Sequence, residues 1–243
     1  MKKLIPFALL ALLAACSSPK AFRPLEKGER VLIKKYSKPI KNDGLYHILI
    51  MTDMGNMVVK LYNETPLHRD NFVSKVKAGF YDSLMFHRVI NNFMIQGGDP
   101  TSKRAKPGES LGSGDAPGGR IPAEFRIEKD IYHKRGALVA ARGDNPEKAS
   151  SNCQFYIVQR KPWRSTQLDS TIVSRKLNLN DAQKKLYTTL GGTPHLDGGY
   201  TVFGELEIGF DVLDRIATTQ TNKSDRPEKD VRIRMFLLNG IKK

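Results

Sequence analysis

The chain has 243 residues, enough for one sizeable domain with appendages or for two small domains. Its 40 lysines and arginines exceed its 25 aspartates and glutamates, so that the formal net charge is +15. Such a charge suits nucleic acid or an anionic membrane surface, but no nucleic-acid-binding motif accompanies it, and we predict no nucleic-acid partner.

The first fifteen residues have the pattern of a bacterial lipoprotein signal peptide. Two lysines precede an apolar run at 4–13 that is too short to span a bilayer, and Leu-Ala-Ala-Cys at 13–16 resembles a lipobox. This predicts acylation of Cys16 and a protein of the bacterial cell envelope, lipid-anchored to a membrane and facing the periplasm or the cell surface. Cys153 would then be the only thiol, with no intrachain disulfide. A plain secretory signal is the alternative.

Residues 16–42 are predicted to form a basic tether before a folded domain at 43–243. Eight lysines and arginines lie between residues 20 and 42, a density that favours attraction to an anionic membrane. Inside this segment the apolar run Val31–Ile33 favours a short strand at the edge of the domain.

The domain begins with a predicted β-hairpin at 46–52 and 56–62, broken by Asp-Met-Gly. Thr65 is the predicted N-cap of a helix with Pro66 at its first position. Two strands follow at 85–90 and 93–96, separated by two asparagines.

The second half of the domain also has mostly strand patterns. Residues 100–120 form a Gly-, Pro- and Ser-rich loop, and Gly-Ser-Gly at 112–114 is not a phosphate loop because no Gly-Lys-Ser or Gly-Lys-Thr follows. Strands are predicted at 137–141, 154–158, 201–205 and 231–238, with a short helix at 208–216. Many strands with two helices predict a closed or nearly closed antiparallel barrel capped by helices.

Residues 86–99 carry the most information about function. Alternation places Phe86 and Arg88 on one face of a strand and turns His87 away from Arg88, while Met94 and Gln96 share a face of the next strand. Polar groups among Phe and Met are typical of a ligand-site wall. An edge-strand arginine with a solvated head is the alternative interpretation.

The string Phe-His-Arg-Val-Ile-Asn-Asn-Phe-Met-Ile-Gln-Gly-Gly-Asp at 86–99 closely resembles the central motif of the cyclophilin family of peptidyl-prolyl cis–trans isomerases. The resemblance covers residues 45–159 and 194–238. It implies a mostly β fold, a closed antiparallel barrel of eight strands capped by two helices, and acceleration of X–Pro isomerisation. It implies no cofactor and no metal.

The resemblance also implies roles for individual residues. Arg88 matches the arginine that binds the proline carbonyl and donates toward the amide nitrogen, and Gln96 matches the amide that holds substrate backbone; these two are the predicted catalytic residues. The predicted substrate-binding residues are Phe86, Phe93, Met94, Ala141, Gln154, Tyr156, His195, Leu196 and Tyr200. His195 replaces the tryptophan of drug-binding eukaryotic members.

One segment departs from the family. About 35 residues lie between Val158 and Pro194, where about ten are usual, so that an insertion is predicted at about 160–193. Apolar spacing predicts a short helix at 179–190 within it. The insertion is basic, and it is either a surface decoration or a flap that selects substrates or partners.

The sequence therefore predicts a lipid-anchored isomerase that acts on proline-containing unfolded or extended polypeptides and assists folding outside the cytoplasm. A rival prediction is a chaperone or docking module that binds such segments without needing turnover. A more distant one is a membrane-surface scaffold. The histidines show no metal-ligand spacing, and the oligomeric state is not predicted.

Overall fold

A computed structural model describes residues 26–38, 40 and 43–239, so that the predicted signal peptide and Cys16 lie outside the described residues. Eight strands form one antiparallel sheet with the order β3-β4-β6-β5-β7-β2-β1-β8. The strands are β1 (Tyr46–Thr52), β2 (Gly55–Leu61), β3 (Phe86–Ile90), β4 (Met94–Gly97), β5 (Ala137–Ala140), β6 (Phe155–Val158), β7 (Val202–Ile208) and β8 (Ile233–Asn239).

Five α-helices occur in the described part of the chain. They are α1 (Lys27–Ser37), α2 (Pro66–Lys77), α3 (Ser165–Arg175), α4 (Asp181–Thr189) and α5 (Phe210–Ala217). The two predicted capping helices correspond to α2, which contacts β7 and β8, and α5, which contacts β2, β3 and β4. The other three lie outside the barrel core, and of these only α4 was predicted from the sequence.

The sheet curls into a half-barrel, so that the prediction of a closed barrel is wrong. Its end strands β3 and β8 share no ladder, and a single bridge links Met85 to Arg232. The segment before β8 turns at Asp225, whose φ is 60°. It contacts β3 through isolated backbone hydrogen bonds. In one of them, Val89 N donates to the Asp225 carbonyl at 2.8 Å. A segment that turns in this way cannot present the regular spacing that a ladder needs.

Helix α1 occupies the place of the strand predicted at Val31–Ile33, so that this prediction is also wrong. A capping box between Glu26 and Glu29 begins the helix, and Glu29 forms an ion pair with Arg234 of β8. The buried and half-buried positions 29, 32, 33, 36 and 37 follow a helical period, whereas Val31 is 60% exposed. Three adjacent apolar residues thus concealed a helical pattern.

Helix α2 begins where the sequence predicts, with Thr65 at the N-cap position and Pro66 behind it. The Thr65 hydroxyl, however, makes no capping bond, and the acceptor comes from Glu124, far along the chain. Its buried carboxylate accepts hydrogen bonds from the backbone N–H groups of Leu67 at 3.1 Å and His68 at 3.0 Å. An anion at this position also suits the helix dipole.

The sheet has a packed cluster on each face. The inner cluster fills the half-barrel and includes Phe72 and Val76 from α2 and Leu213 and Ile216 from α5. The outer cluster lies on the other face of β4, β5 and β6; its buried members are Met94, Ala137, Val139, Ala141, Tyr156, Val158 and Val202. This outer cluster is the floor on which the candidate site is built.

The insertion has a small core of its own, made by Tyr132, Leu168 and Tyr187. Helix α4 confirms the helix predicted there, although it begins two residues later and ends one residue earlier than predicted. Helix α3 was missed because its one buried apolar residue, Leu168, leaves almost no periodic pattern to detect. The insertion is therefore packed onto the domain through Tyr187, which is fully buried.

Cys153 is buried, as predicted, and burial raises the pKa of its thiol. Such a thiol is a poor nucleophile, because the thiolate is the reactive form. None of the helices among the described residues has the length and apolarity needed to cross a membrane.

Candidate active site

A cavity of about 480 Å³ opens on the outer face of the sheet, above β3, β4 and β6. Cross-strand pairing sets its central row of side chains. Arg88 of β3 is paired with Gln96 of β4, and Gln96 is paired with Tyr156 of β6. Directly opposed residues on one face of a sheet lie within about 5.5 Å of one another. The pairing therefore places a guanidinium, an amide and an aromatic ring side by side.

Eight of the eleven side chains that the sequence predicts for the site line this cavity. They are Arg88, Phe93, Met94, Gln96, Ala141, Tyr156, Leu196 and Tyr200. Met94 and Tyr156 are almost fully buried and form its apolar floor, whereas the side chain of Arg88 is 44% exposed. The cavity thus combines an apolar recess with a positive group at its mouth.

The other three predicted residues lie elsewhere. Phe86 is fully buried in the inner cluster, with its ring 6.1 Å from that of Phe155, so that it does not face the cavity. Gln154 lines an adjoining cavity of about 260 Å³ and accepts a hydrogen bond from Gln96 Nε2 at 3.1 Å. The half-buried ring of His195 stacks on Phe93 at the edge of the main cavity, with centroids 6.3 Å apart.

A loop at 108–113, which sequence reasoning did not place in the site, closes one side of the cavity. Gln154 Nε2 donates to the carbonyls of Gly112 at 2.9 Å and Gly114 at 2.8 Å, and the Asp99 carboxylate accepts from Gly112 N. Although burial alone would raise it, hydrogen bonds from Thr101 and Gly112 lower the pKa of Asp99. Asp99 and Gln154 thereby fix the loop over the floor.

A second unpredicted loop, at 222–226, contributes Asn222, Ser224 and Arg226 to the lining of the cavity. Asp225 Oδ2 accepts from Arg88 Nε at 3.4 Å, which holds the exposed guanidinium at the cavity mouth. Arg226 is buried and donates to the Glu109 carbonyl and to Asp230, so that it joins the two loops. The local sequence gives no signal for this loop, because its partners Arg88 and Glu109 are distant in the chain.

His87 was predicted to point away from Arg88, and this prediction is wrong. The pairing of β3 with β4 shifts register between Phe86 and Arg88, and the irregularity brings both His87 and Arg88 to the cavity. A bulge of this kind breaks the alternation on which the prediction relied. Burial lowers the pKa of His87 to about 4; Asp99 acts against this effect, whereas Arg88 and Arg226 add to it.

We expect His87 to make the protein less stable in acid. Its pKa in the folded state lies below the ordinary 6.5, so that folding favours the neutral ring. The stabilisation is therefore complete above about pH 6.5 and is lost as the pH falls toward 4, by an amount on the order of 3 kcal/mol. Denaturant unfolding of the wild type and of His87→Gln at pH 7 and pH 4.5 measures it. The variant should lose less stability between the two values, and an equal loss would contradict the assignment.

The wall opposite Arg88 is held by a network around Asp197. Asp197 Oδ1 accepts from His133 N and pairs with His133 Nδ1, both at 2.9 Å, and Oδ2 accepts from the Tyr187 hydroxyl at 2.5 Å. The His133 ring stacks on Tyr156 with centroids 6.4 Å apart, and Tyr200 meets Tyr156 edge to face at 6.0 Å. Tyr187 belongs to the insertion, so that α4 reaches the aromatic floor through Asp197 and His133.

Among the described residues, no group of three or more His, Cys, Asp or Glu side chains is arranged to hold a metal ion. Several polar side chains line the cavity itself. Among them, the guanidinium of Arg88 and the amide of Gln96 lie side by side above the apolar floor. They can bind an apolar ring and donate hydrogen bonds to the peptide attached to it.

The curled eight-stranded sheet, its two capping helices and this cavity define a protein of cyclophilin-like fold. The family model described as cyclophilin type peptidyl-prolyl cis-trans isomerase/CLD matches residues 47–236. That match covers well over half of the chain. The chain therefore belongs to the family of cyclophilin-type peptidyl-prolyl cis–trans isomerases.

Relatives and solved structures agree with this membership. A protein of Staphylococcus haemolyticus (strain JCSC1435), provisionally described as a peptidyl-prolyl cis-trans isomerase, is 35% identical over 190 residues, 78% of this chain and 89% of its own length. A protein of Staphylococcus aureus (strain COL) with the same description is 37% identical over 190 residues. These residues are 77% of this chain and 89% of the relative's length. A crystal structure of a Cryptosporidium parvum cyclophilin type peptidyl-prolyl cis-trans isomerase is similar to this chain with a TM-score of 0.59 at 24% sequence identity. The similarity covers 79% of this chain and 97% of the Cryptosporidium parvum chain, and it supports the fold.

Proposed function

We propose that this cyclophilin-type isomerase is a lipid-anchored protein of the bacterial cell envelope that assists the folding of extracytoplasmic proteins. The observation that carries its catalytic part is the placement of Arg88 beside Gln96 over the apolar floor. The observation that supports its location is the lipobox-like sequence that ends at Cys16.

The reaction requires a twisted amide to be stabilised. Amide resonance sets a barrier of about 20 kcal/mol, and twisting the X–Pro bond localises a lone pair on the proline nitrogen. In the proposal the proline ring enters the recess above Met94 and Tyr156, Gln96 holds the peptide backbone, and Arg88 donates toward the nitrogen. A donor that bonds more strongly to the twisted state than to the planar state lowers the barrier.

Proline-containing segments of unfolded or extended polypeptides are the proposed substrates. A structure of the Cryptosporidium parvum isomerase was determined in the presence of the dipeptide Ala-Pro, which supports a proline-containing ligand for this cavity too. The cavity, of about 480 Å³, opens on the outer face of the sheet, so that a proline-containing segment of an extended chain can enter it. A folded protein surface would have to unfold locally to enter.

The chaperone or docking module remains the rival proposal, and turnover separates the two. We expect the purified full-length protein to accelerate the cis-to-trans isomerisation of a short X–Pro peptide. A folded protein that binds the peptide without accelerating its isomerisation would favour the rival. Arg88 is the feature that argues for turnover, since a binder has no need of a donor aimed at the amide nitrogen.

The anchor gives a separate prediction. Replacement of Cys16 by alanine should abolish incorporation of labelled palmitate and move the protein from the membrane fraction to the soluble fraction, because a thiol at the lipobox is the acylation site. Metabolic labelling followed by fractionation measures both effects. Cys153→Ala is the matched control and should leave both unchanged, since that thiol is buried. Palmitate that persists in Cys16→Ala would refute the anchor.

A further inference from the structure

Phe93 lines the cavity from the turn that joins β3 to β4. Its ring is half-buried and stacks on His195, with centroids 6.3 Å apart. The preceding residue, Asn92, has a φ of 58°, in the left-handed region that few residues other than glycine adopt and that asparagine tolerates better than most. The position of the Phe93 ring therefore depends on the contacts that hold this turn.

Gln159 holds the turn through both its backbone and its side chain. It follows β6 directly and is fully buried. Its backbone N–H donates to the Phe93 carbonyl at 2.8 Å, and its side-chain Oε1 accepts from Asn92 N at 2.8 Å. These two hydrogen bonds fix the backbone of the turn before Asn92 and after Phe93.

The other end of the Gln159 amide is fixed by α5. Its Nε2 donates to Asp214 Oδ1 at 2.6 Å, and both Asp214 oxygens accept from Arg135 Nη2 at 2.8 Å. Arg135 also donates from Nη1 to the backbone carbonyl of Gln159. Although burial alone would raise it, the hydrogen bonds from Gln159 and Arg135 lower the pKa of Asp214, which stays ionised. All four polar groups of Gln159 thus have a partner.

A primary amide is the side chain that this position requires. The backbone N–H of Asn92 needs an acceptor, whereas the Asp214 carboxylate needs a donor, and an amide supplies both from one end of a side chain. A carboxylate at the same position would face Asp214 as a like charge. An apolar side chain would leave the Asn92 N–H without its acceptor.

We propose that Gln159 is a positioning residue for the isomerisation, which connects α5 to the turn and thereby fixes the Phe93 ring at the wall of the recess that takes the proline ring. The inference rests on the proposed function, because the place of Phe93 matters for turnover only when a proline occupies the recess. Gln159 does not line the cavity, so that it acts on the substrate through Phe93. A displaced ring weakens binding of the planar and the twisted amide alike, which raises KM and leaves kcat nearly unchanged.

The test replaces Gln159 by methionine, which has a similar length but neither the acceptor nor the donor. For the full-length protein and a short X–Pro peptide, we expect KM to rise about fivefold and kcat to stay within about twofold of the wild-type value. A merely structural role would give another result, because a smaller folded fraction lowers the apparent kcat and leaves KM unchanged. Val76→Ala, which removes buried methyl groups from the inner cluster, is the control; it should lower the melting temperature without changing KM.

Asp214→Ala tests the same connection from the side of α5. The Asp214 side chain is 36% exposed, so that its loss should leave the fold intact, yet Gln159 Nε2 loses its acceptor. We expect KM to rise about threefold, since small displacements of positioning groups are costly. Asp211→Ala is the matched control, because it removes from the same helix a carboxylate that pairs with Arg215, and it should leave KM unchanged.

The Phe93→Ala background shows whether the effect passes through the Phe93 ring. In that background Gln159→Met should change KM by less than about twofold, because two substitutions that act through one group are not additive. An equal rise in KM with and without the ring would overturn the proposal. An unchanged KM in Asp214→Ala, or in a folded Gln159→Met variant, would overturn it too.

Dissociation constants for the same peptide are measured in parallel and separate this inference from the proposed function. If the wild type turns over no X–Pro peptide, the proposed function fails, and peptide binding then decides the role of Gln159. Weaker binding in Gln159→Met that disappears in the Phe93→Ala background supports the positioning role. Unchanged binding overturns it.

Discussion

Replacement of Arg88 by alanine should lower kcat/KM for an X–Pro peptide by about 100-fold or more while leaving the fold intact. Removal of one preorganised donor to a transition state typically costs a factor of about 10² to 10³. The side chain of Arg88 is 44% exposed and has Asp225 as its ion-pair partner at 3.4 Å. Its loss removes no core contact, so that the melting temperature should change little.

The effect should appear mainly in kcat. Phe93, Met94 and Tyr156 would still bind the proline ring in the variant, because the apolar floor does not depend on the guanidinium. An interaction made chiefly in the transition state lowers kcat and kcat/KM together. Protease-coupled or NMR exchange measurements on a short peptide give both constants.

Two further variants make the Arg88 result specific. Arg88→Lys keeps the charge but loses the planar fork, and it should recover only a small part of the activity. Arg215→Ala removes another exposed arginine, one that pairs with Asp211 at 2.9 Å away from the cavity, and it should be as active as the wild type. A full turnover number in Arg88→Ala would disprove the assigned role.

The sequence predicted the lining of the cavity well where that lining is built from strands. Regular pairing carries Arg88, Gln96 and Tyr156 to one face, and a motif in the sequence specifies those positions. It failed at His87, because a bulge depends on how two strands meet and leaves no trace in alternation. It also failed for the loops at 108–113 and 222–226, whose places are set by partners distant in the chain.

The fold shows the same division between local and distant determinants. The eight strands and the two capping helices were predicted, since each carries its own periodic pattern. Closure of the barrel was not predictable, because it depends on whether the segment before β8 can run alongside β3. The segment Val31–Ile33 belongs to α1 and not to a strand, because the ion pair between Glu29 and Arg234 connects a helix to β8 at this place.

The hydrogen bonds around Asp197 connect the insertion to the wall of the candidate active site. Tyr187 is fully buried and comes from α4, and its hydroxyl donates to the carboxylate that also holds His133. Burial, and then the charge of Asp197, raise the pKa of Tyr187, so that the hydroxyl stays protonated and donating. Through these two hydrogen bonds and the stacking of His133 on Tyr156, the insertion is connected to the floor of the cavity.

Asp197→Ala should therefore lower both stability and activity. The substitution leaves the Tyr187 hydroxyl, His133 N and His133 Nδ1 without their acceptor in a buried place, which should reduce the free energy of unfolding by about 3 kcal/mol. Leu196, the adjacent wall residue, and the stacked ring of His133 should shift, and kcat/KM should fall about tenfold or more, since small displacements of positioning groups are costly. Denaturant unfolding and peptide turnover measure the two effects.

A double-mutant cycle with Tyr187→Phe separates the insertion from the rest of the network. The single variant removes only the hydroxyl and should cost about 1 kcal/mol, and the double variant should cost less than the sum of the two, because the deleted groups bond to each other. Asp211→Ala, which removes an exposed carboxylate from α5, is the control and should change neither quantity. If Asp197 and Tyr187 contribute additively, or if turnover survives Asp197→Ala, then the insertion does not support the wall through this network.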